Sequence, residues 1–132
     1  MKAGPKLLAA RKARGAAARR DGRRREVWAA VWLMLKGYRI LGFRLKTRQG
    51  EIDLLAKRGR VLAVVEVKSR TTPIAALEAV TPTQRARLLR AGRAVMAGRP
   101  ALKGLELRLD LIAMAPRALP RHISGAWRDD AL

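Results

Sequence analysis

Five consecutive apolar residues, Val61-Leu62-Ala63-Val64-Val65, constrain this chain more than any other feature. Three of the five are β-branched, and so short a run with no polar break reads as a strand buried on both faces, at the middle of a sheet. A charged turn with one glycine, Lys57-Arg58-Gly59-Arg60, precedes it, and residues 51–56 before that turn read as a second strand. The two strands are expected to form a hairpin.

A strand buried on both faces needs cover on both sides of its sheet. Residues 27–35 are apolar without interruption, and Gly37 stands where a helix would end. As a helix that run is about 13–14 Å long, less than half of a bilayer core, so it is a buried helix and not a membrane span. Trp28 and Trp32, four apart, lie on one side of it, either in the core or open to a partner. Residues 38–45 read as a strand that Gly42 either weakens or interrupts with a bulge. Residues 69–80 read as a loop with a short turn of helix. Thr81-Pro82-Thr83-Gln84 is a helix start, with Thr81 as N-cap, Pro82 in the first turn and Gln84 completing a capping box. That helix is expected to run to about Met96, with Leu88, Leu89, Gly92, Val95 and Met96 inside and Arg85, Arg87, Arg90 and Arg93 outside or on the flanks. From Leu105 the chain alternates, with leucines on one face and Glu106, Arg108 and Asp110 on the other, which makes a further strand. The tail from Pro116 is expected to add a short strand or irregular cover. The order αβββαβ predicts an α/β sandwich with a mixed sheet, because the hairpin is antiparallel and the later crossover helix permits a parallel pair.

Charge narrows the function. Over 132 residues, 30 Lys and Arg face 10 Asp and Glu, a net charge of +20, which favours a polyanionic partner. The length suits one domain. With no cysteine and one histidine, thiolate zinc sites, Cys nucleophiles and multi-His metal sites are excluded, leaving carboxylates, lysines and arginines for any chemistry. Ten of the basic residues and one acid fall in the first 25 positions. Residues 1–21 are therefore expected to be a basic, mostly disordered arm with a transient helix over residues 6–14, and 22–132 the domain. The arm has no apolar stretch long enough for a secretory signal, and the chain is expected in the cytoplasm, on nucleic acid.

Four acids stand out by position: Glu26, Glu51, Asp53 and Glu66. Lys68 follows Glu66 by two and shares its face of the strand. If the strands pair across the turn, Asp53 and Glu66 meet at one end of the hairpin. Charges in apolar strands are costly unless they meet one another or a cation. Two carboxylates and the Val67 carbonyl would suit Mg²⁺ or Mn²⁺, with Lys68 beside them. A buried ion-pair cluster, with Lys68 neutralising Asp53 and Glu66, is the structural alternative.

These residues resemble the YraN-like family of bacterial endonuclease-like proteins. The likeness lies in Glu26-x-x-Ala29, Gly37-Tyr38-Arg39-Ile40-Leu41, Gly50-Glu51-Ile52-Asp53-Leu54-Leu55 and Val65-Glu66-Val67-Lys68-Ser69-Arg70, and continues through Ala79-Val80-Thr81, Arg108-Leu109-Asp110, His122-Ile123 and Ala126-Trp127. It covers residues 22–128. It implies a restriction-endonuclease-like three-layer sandwich of the PD-(D/E)xK kind, in which a helix Glu, a strand Asp and a Glu-x-Lys bind Mg²⁺ and cut phosphodiesters. Those roles fall on Glu26, Asp53, Glu66 and Lys68. Glu51 and Gln84 are accessory, and Gln84 stands where the family usually has a lysine, so it can hydrogen-bond but supplies no cation.

Two functions follow as expectations. The first is an Mg²⁺- or Mn²⁺-dependent nuclease on DNA in preference to RNA, on branched or single-stranded substrates, with Asp53, Glu66 and Lys68 carrying the chemistry. Arg44, Lys46, Arg48, Arg70, Arg85 and the arm would bind phosphates. The second is a non-catalytic nucleic-acid-binding protein that keeps the fold and serves assembly or repair. Cutting a branched junction calls for a homodimer, for which Trp28 and Trp32 offer a surface. No membrane partner is expected.

Overall fold

The structure is a computed structural model that describes residues 4–127. Helix α1 (Pro5–Leu35) is followed by strands β1 (Arg39–Thr47), β2 (Gly50–Arg58) and β3 (Val61–Ser69). Helices α2 (Pro73–Glu78) and α3 (Pro82–Gly98), a 3-10 turn, and strands β4 (Glu106–Met114) and β5 (Arg121–Ile123) complete the chain. The five strands form one sheet in the order β1-β2-β3-β4-β5. β2 and β3 are an antiparallel hairpin, while β3 and β4 run parallel across the α2–α3 connection, so the sheet is mixed.

The run that reads as a central strand is central. β3 is third of five, and Leu62, Ala63, Val64 and Val65 are fully buried. Its alternate residues serve two cores. Ala63 and Val65 pack with Ala29, Ala30 and Leu33 of α1. Val64 and Leu62 pack with Leu88 and Ala91 of α3. Ala76 of α2 adds a smaller cluster with Leu111 and Ala113. The result is the α/β three-layer sandwich expected, restriction-endonuclease-like in its architecture.

Local signals in the chain explain the junctions. Gly59, with φ of +59°, opens the two-residue loop between Arg58 and Val61, where a left-handed conformation is needed and only glycine adopts it freely. At the end of α1, Gly37 has φ of +90°, its N–H donates to the Met34 carbonyl, and the Tyr38 N–H reaches back to the Leu33 carbonyl. That pair of bonds closes the helix. Of the two readings of Gly42, the bulge is the one present: the β1–β2 register slips between Ile40 and Gly42. The capping box at α3 is complete, with Thr81 and Gln84 each accepting from the other's N–H.

One feature differs from the sequence reading. Residues 5–35 form a single helix, where residues 1–21 were expected to be mostly disordered and the domain's helix to begin near Glu26. Leu7 and Leu8 are 45% and 55% exposed, and among the described residues the first fully buried one of the helix is Ala29. The helix is thus anchored by its apolar end and extends a basic stem away from the core. The alternation expected in β4 is present, and the face bearing Arg108 and Asp110 is covered. Asp110 is fully buried beneath Tyr38 and the segment after β5, because α1 covers that face of the sheet.

Candidate active site

The candidate site lies where β2 begins and β3 ends, in a cleft of about 390 Å³. Glu26, Glu51, Asp53 and Glu66 border it, with Arg44 and Arg87 on its walls and Val80 and Leu88 at its apolar side. The hairpin register runs from Arg58↔Val61 to Leu54↔Val65, which puts Asp53 and Glu66 next in line, on the α3 face. Beyond that pair the ladder is carried by a side chain: the Val67 N–H donates to Asp53 Oδ2 at 2.9 Å. Lys68 Nζ stands 3.3 Å from Glu66 Oε1.

Burial decides the electrostatics of the pair. It raises the Asp53 carboxyl above its ordinary range, against the lowering effect of the Val67 N–H. It raises Glu66 as well, to about 7, with the neighbouring Asp53 charge adding to the shift and Lys68 opposing it. Two half-hidden carboxylates repel each other here, and the Lys68 ammonium offsets only part of their charge.

Glu26 reaches the same cleft from α1, but its carboxylate is engaged: Arg44 Nε donates to Oε2 at 2.6 Å. Arg44 has φ of +47°, a conformation uncommon for a side-chain-bearing residue, two positions after the Gly42 bulge. The bulge and this twist are what carry the Arg44 guanidinium over to α1. Among the described residues, no three carboxylate or imidazole groups stand close enough to hold a metal together. The donors that could hold a hard cation as they stand are two, Asp53 and Glu66, a number that suits an ion keeping several of its waters.

Residues 25–114 match the family described as "Uncharacterised protein family UPF0102". The chain belongs to this family. A UPF0102 protein of Caulobacter sp. (strain K31) is 64% identical over 123 residues, 93% of this chain and 88% of that protein. One of Caulobacter vibrioides (strain NA1000 / CB15N) is 66% identical over 117 residues, covering 89% and 94%. One of Parvibaculum lavamentivorans is 50% identical over 116 residues, covering 88% and 87%.

The remaining sequence-chosen residues of this UPF0102 chain divide by place. Glu51 is exposed on the cleft wall, opposite Lys46 across β1–β2. Gln84 borders the cleft while its Oε1 accepts the Thr81 N–H at 3.0 Å. Lys46, Arg48 and Arg70 are exposed, and Arg70 joins Lys68, Gly22 and Glu26 around a smaller adjoining cleft of about 220 Å³. Arg85 is on the other flank of α3, away from the acids. Trp28 is 63% exposed, so it is not a core residue.

Arg87 was not singled out from the sequence. It follows Gln84 by three on the same side of α3, and its stem lies over Gly50, where a Cβ would be 3.0 Å from Arg87 Cδ. The UPF0102 chain thus brings a cation to the cleft from one turn beyond Gln84. The i, i+3 spacing was the available signal.

A buried polar cluster on the opposite face also escaped the sequence reading. Arg108 donates to both Asp110 oxygens at 2.7 Å and to the Tyr38 hydroxyl at 2.5 Å. His122 Nε2 lies 2.8 Å from Asp110, its Nδ1 lies 2.6 Å from Lys36 Nζ, and the Gly125 N–H donates to Asp110 at 3.0 Å. Facing an ammonium on one side and a carboxylate on the other, the ring is arranged to accept at Nδ1 and donate from Nε2. This cluster ties β5 and the following segment to the sheet. It is walled off from the candidate site by the sheet itself.

Proposed function

We propose that this chain is a divalent-metal-dependent nuclease acting on DNA. The observation that carries the reading is the Asp53–Glu66 pair: two partly buried carboxylates, both shifted upward, at the mouth of a cleft in a protein of net charge +20. A surface this basic attracts polyanions without acids, and a paired-carboxylate cleft within it suits a cation held against a phosphate.

Asp53 and Glu66 would hold Mg²⁺ or Mn²⁺, with the Val67 carbonyl as third donor and Glu26 reached through water or after release from Arg44. A metal bound there supplies polarisation of a phosphoryl oxygen and a water of lowered pKa. Lys68, on the face of Glu66, offsets charge that builds on phosphorus and orients the attacking water. Arg44, Lys46, Arg48, Arg70 and Arg87 seat phosphates around the cleft, and arginine's planar fork suits two oxygens at once. Branched or single-stranded DNA is the proposed substrate.

One observation favours a second reading, a non-catalytic nucleic-acid-binding protein. Glu26 is already paired with Arg44 and Glu66 with Lys68, so protein cations neutralise part of the acid cluster. The test is cleavage of labelled duplex, single-stranded and four-way-junction DNA with Mn²⁺ or with EDTA. The nuclease reading expects metal-dependent products that fall at least about 100-fold in Asp53→Ala and Glu66→Ala. It also expects Mn²⁺ to raise the melting temperature of the wild type and not of those variants. Equal cleavage by the variants, or binding of every substrate without cleavage, overturns it.

A further inference from the structure

Helix α3 has a second flank of opposite character. Arg85, Leu89 and Arg93 recur every four residues and form one stripe along the helix, on the side turned away from Gln84, Arg87 and the acids. With Leu107 and Leu109 of β4 and Trp127, this stripe lines a cleft of about 340 Å³. No carboxylate is among the described residues that line it.

Two details point to a ligand. Arg85 Nε is closed off from solvent and has no hydrogen-bond partner among the described residues. A buried donor without an acceptor is destabilising, so an acceptor from beyond the described residues would be favoured here. The Arg85 guanidinium also lies 5.8 Å above the Trp127 ring, and that ring is held in place by its Nε1–H, which donates to the Leu77 carbonyl at 3.1 Å. The ring is therefore a fixed wall. β5 pairs with β4 only at Leu111–Ala113, and beyond it the Ala126 N–H donates to the Leu109 carbonyl at 3.2 Å, which seats residues 125–127 as the wall of the cleft facing α3.

The chemistry of the lining selects its occupant. Guanidinium groups prefer an oxyanion with several acceptors, and an aromatic ring beside leucines prefers a flat, weakly polar body. A nucleotide unit carries both, joined at a distance a single cleft can span. We propose that the cleft between α3 and residues 125–127 holds one nucleotide of a single-stranded nucleic acid, with its phosphate on Arg85 and Arg93 and its base against Trp127 and the leucines. This rests on the nucleic-acid reading above but not on cleavage. It gives α3 a role as a divider, with the acidic cleft and the nucleotide cleft on its two flanks, about one helix diameter, ~10–12 Å, apart.

The test is equilibrium binding in EDTA, so that no cleavage intervenes. The probes are fluorescein-labelled oligothymidylate and an abasic oligomer of equal length and charge. Arg85→Gln is compared with Arg90→Gln, which removes the same charge from an exposed position on the same helix. The wild type is expected to bind the base-bearing oligomer about tenfold more tightly than the abasic one. Arg85→Gln and Trp127→Leu are expected to abolish that preference, while Arg90→Gln and Trp127→Phe keep it. Thermal melts identify any variant that fails to fold, and Arg85→Gln carries the test if Trp127→Leu does. Equal binding of both oligomers by the wild type, or equal effects of Arg85→Gln and Arg90→Gln, overturns the nucleotide cleft and leaves the nucleic-acid reading standing. Binding of neither oligomer overturns both.

Discussion

Asp110 is fully buried, yet it remains a carboxylate. Burial alone would raise its pKa, but the bonds from His122, Arg108 and the Gly125 N–H outweigh burial and hold it down at about 2. A carboxyl depressed in the folded state adds stability above its unfolded pKa and loses it as pH falls through the folded value. For Asp110 the window runs from about pH 4 down to about pH 2, and the contribution is about 2 kcal/mol. Urea melts of wild type and Asp110→Asn between pH 6 and pH 2 check this. The variant is expected to lose about 3–5 kcal/mol at pH 6, because Arg108 keeps its charge without a partner, and to approach the wild type as the pH drops. A constant gap across the range would show that the carboxylate's charge is not what matters. Nothing in the alternation of residues 105–111 marks Asp110 as buried. Period-two patterning says that Asp110 and Leu109 face opposite ways; whether the polar face meets water depends on α1.

Among the elements, α3 is fixed most tightly by one residue. A Cβ on Gly92 would lie 2.7 Å from Val64 Cγ2 and 2.9 Å from Leu107 Cδ1. The helix axis can approach the sheet this closely only because that side chain is absent. Gly92→Ala gains about 1 kcal/mol of helix propensity and meets an overpacking cost of about 1–3 kcal/mol. A net loss of stability is expected in denaturant melts, with α3 displaced and both of its clefts altered. A gain would show that Val64 and Leu107 repack freely. The start of α3 was legible in Thr81-Pro82-Thr83-Gln84 because capping is local chemistry, and the placement of Gly92 on its inner side followed from 3.6-residue spacing. The assignment of Arg85 and Arg87 to opposite flanks was not legible. Two residues apart, they lie about 200° around the helix from each other, and which flank meets the acids depends on how α3 is rotated on the sheet.

At the scale of the molecule, charge and shape are separable. Helix α1 is anchored over its last two turns and carries a basic stem outward, with six of the chain's Lys and Arg within residues 5–21. The stem has no acidic residue in its first turn and no side-chain cap, so its helix is supported mainly by continuity with the packed end. Deleting residues 1–21 is expected to leave the fold intact and to weaken binding to all DNA sequences alike. The salt dependence should flatten, by about 0.9 in log–log slope for each duplex phosphate that the stem no longer neutralises. An unchanged slope in binding titrations from 50 to 200 mM salt would make the stem a bystander. Among the described residues no helix is long and apolar enough to cross a membrane.

The hairpin, the central strand, the capped helix and the order of elements were written into neighbouring residues, because turns, caps and alternation act over a few positions of chain. So was the convergence of Asp53 and Glu66, since an antiparallel register follows from the length of its turn. What residues far apart in sequence do to one another required the packed molecule. Arg44 reaches Glu26 across 18 positions through a bulge and a left-handed residue. His122 closes on Asp110 from the tail, and α3 turns one arginine toward the acids and another toward Trp127. Each depends on how one layer sits on the next, which is settled by side-chain volumes across an interface and not by the pattern within either element.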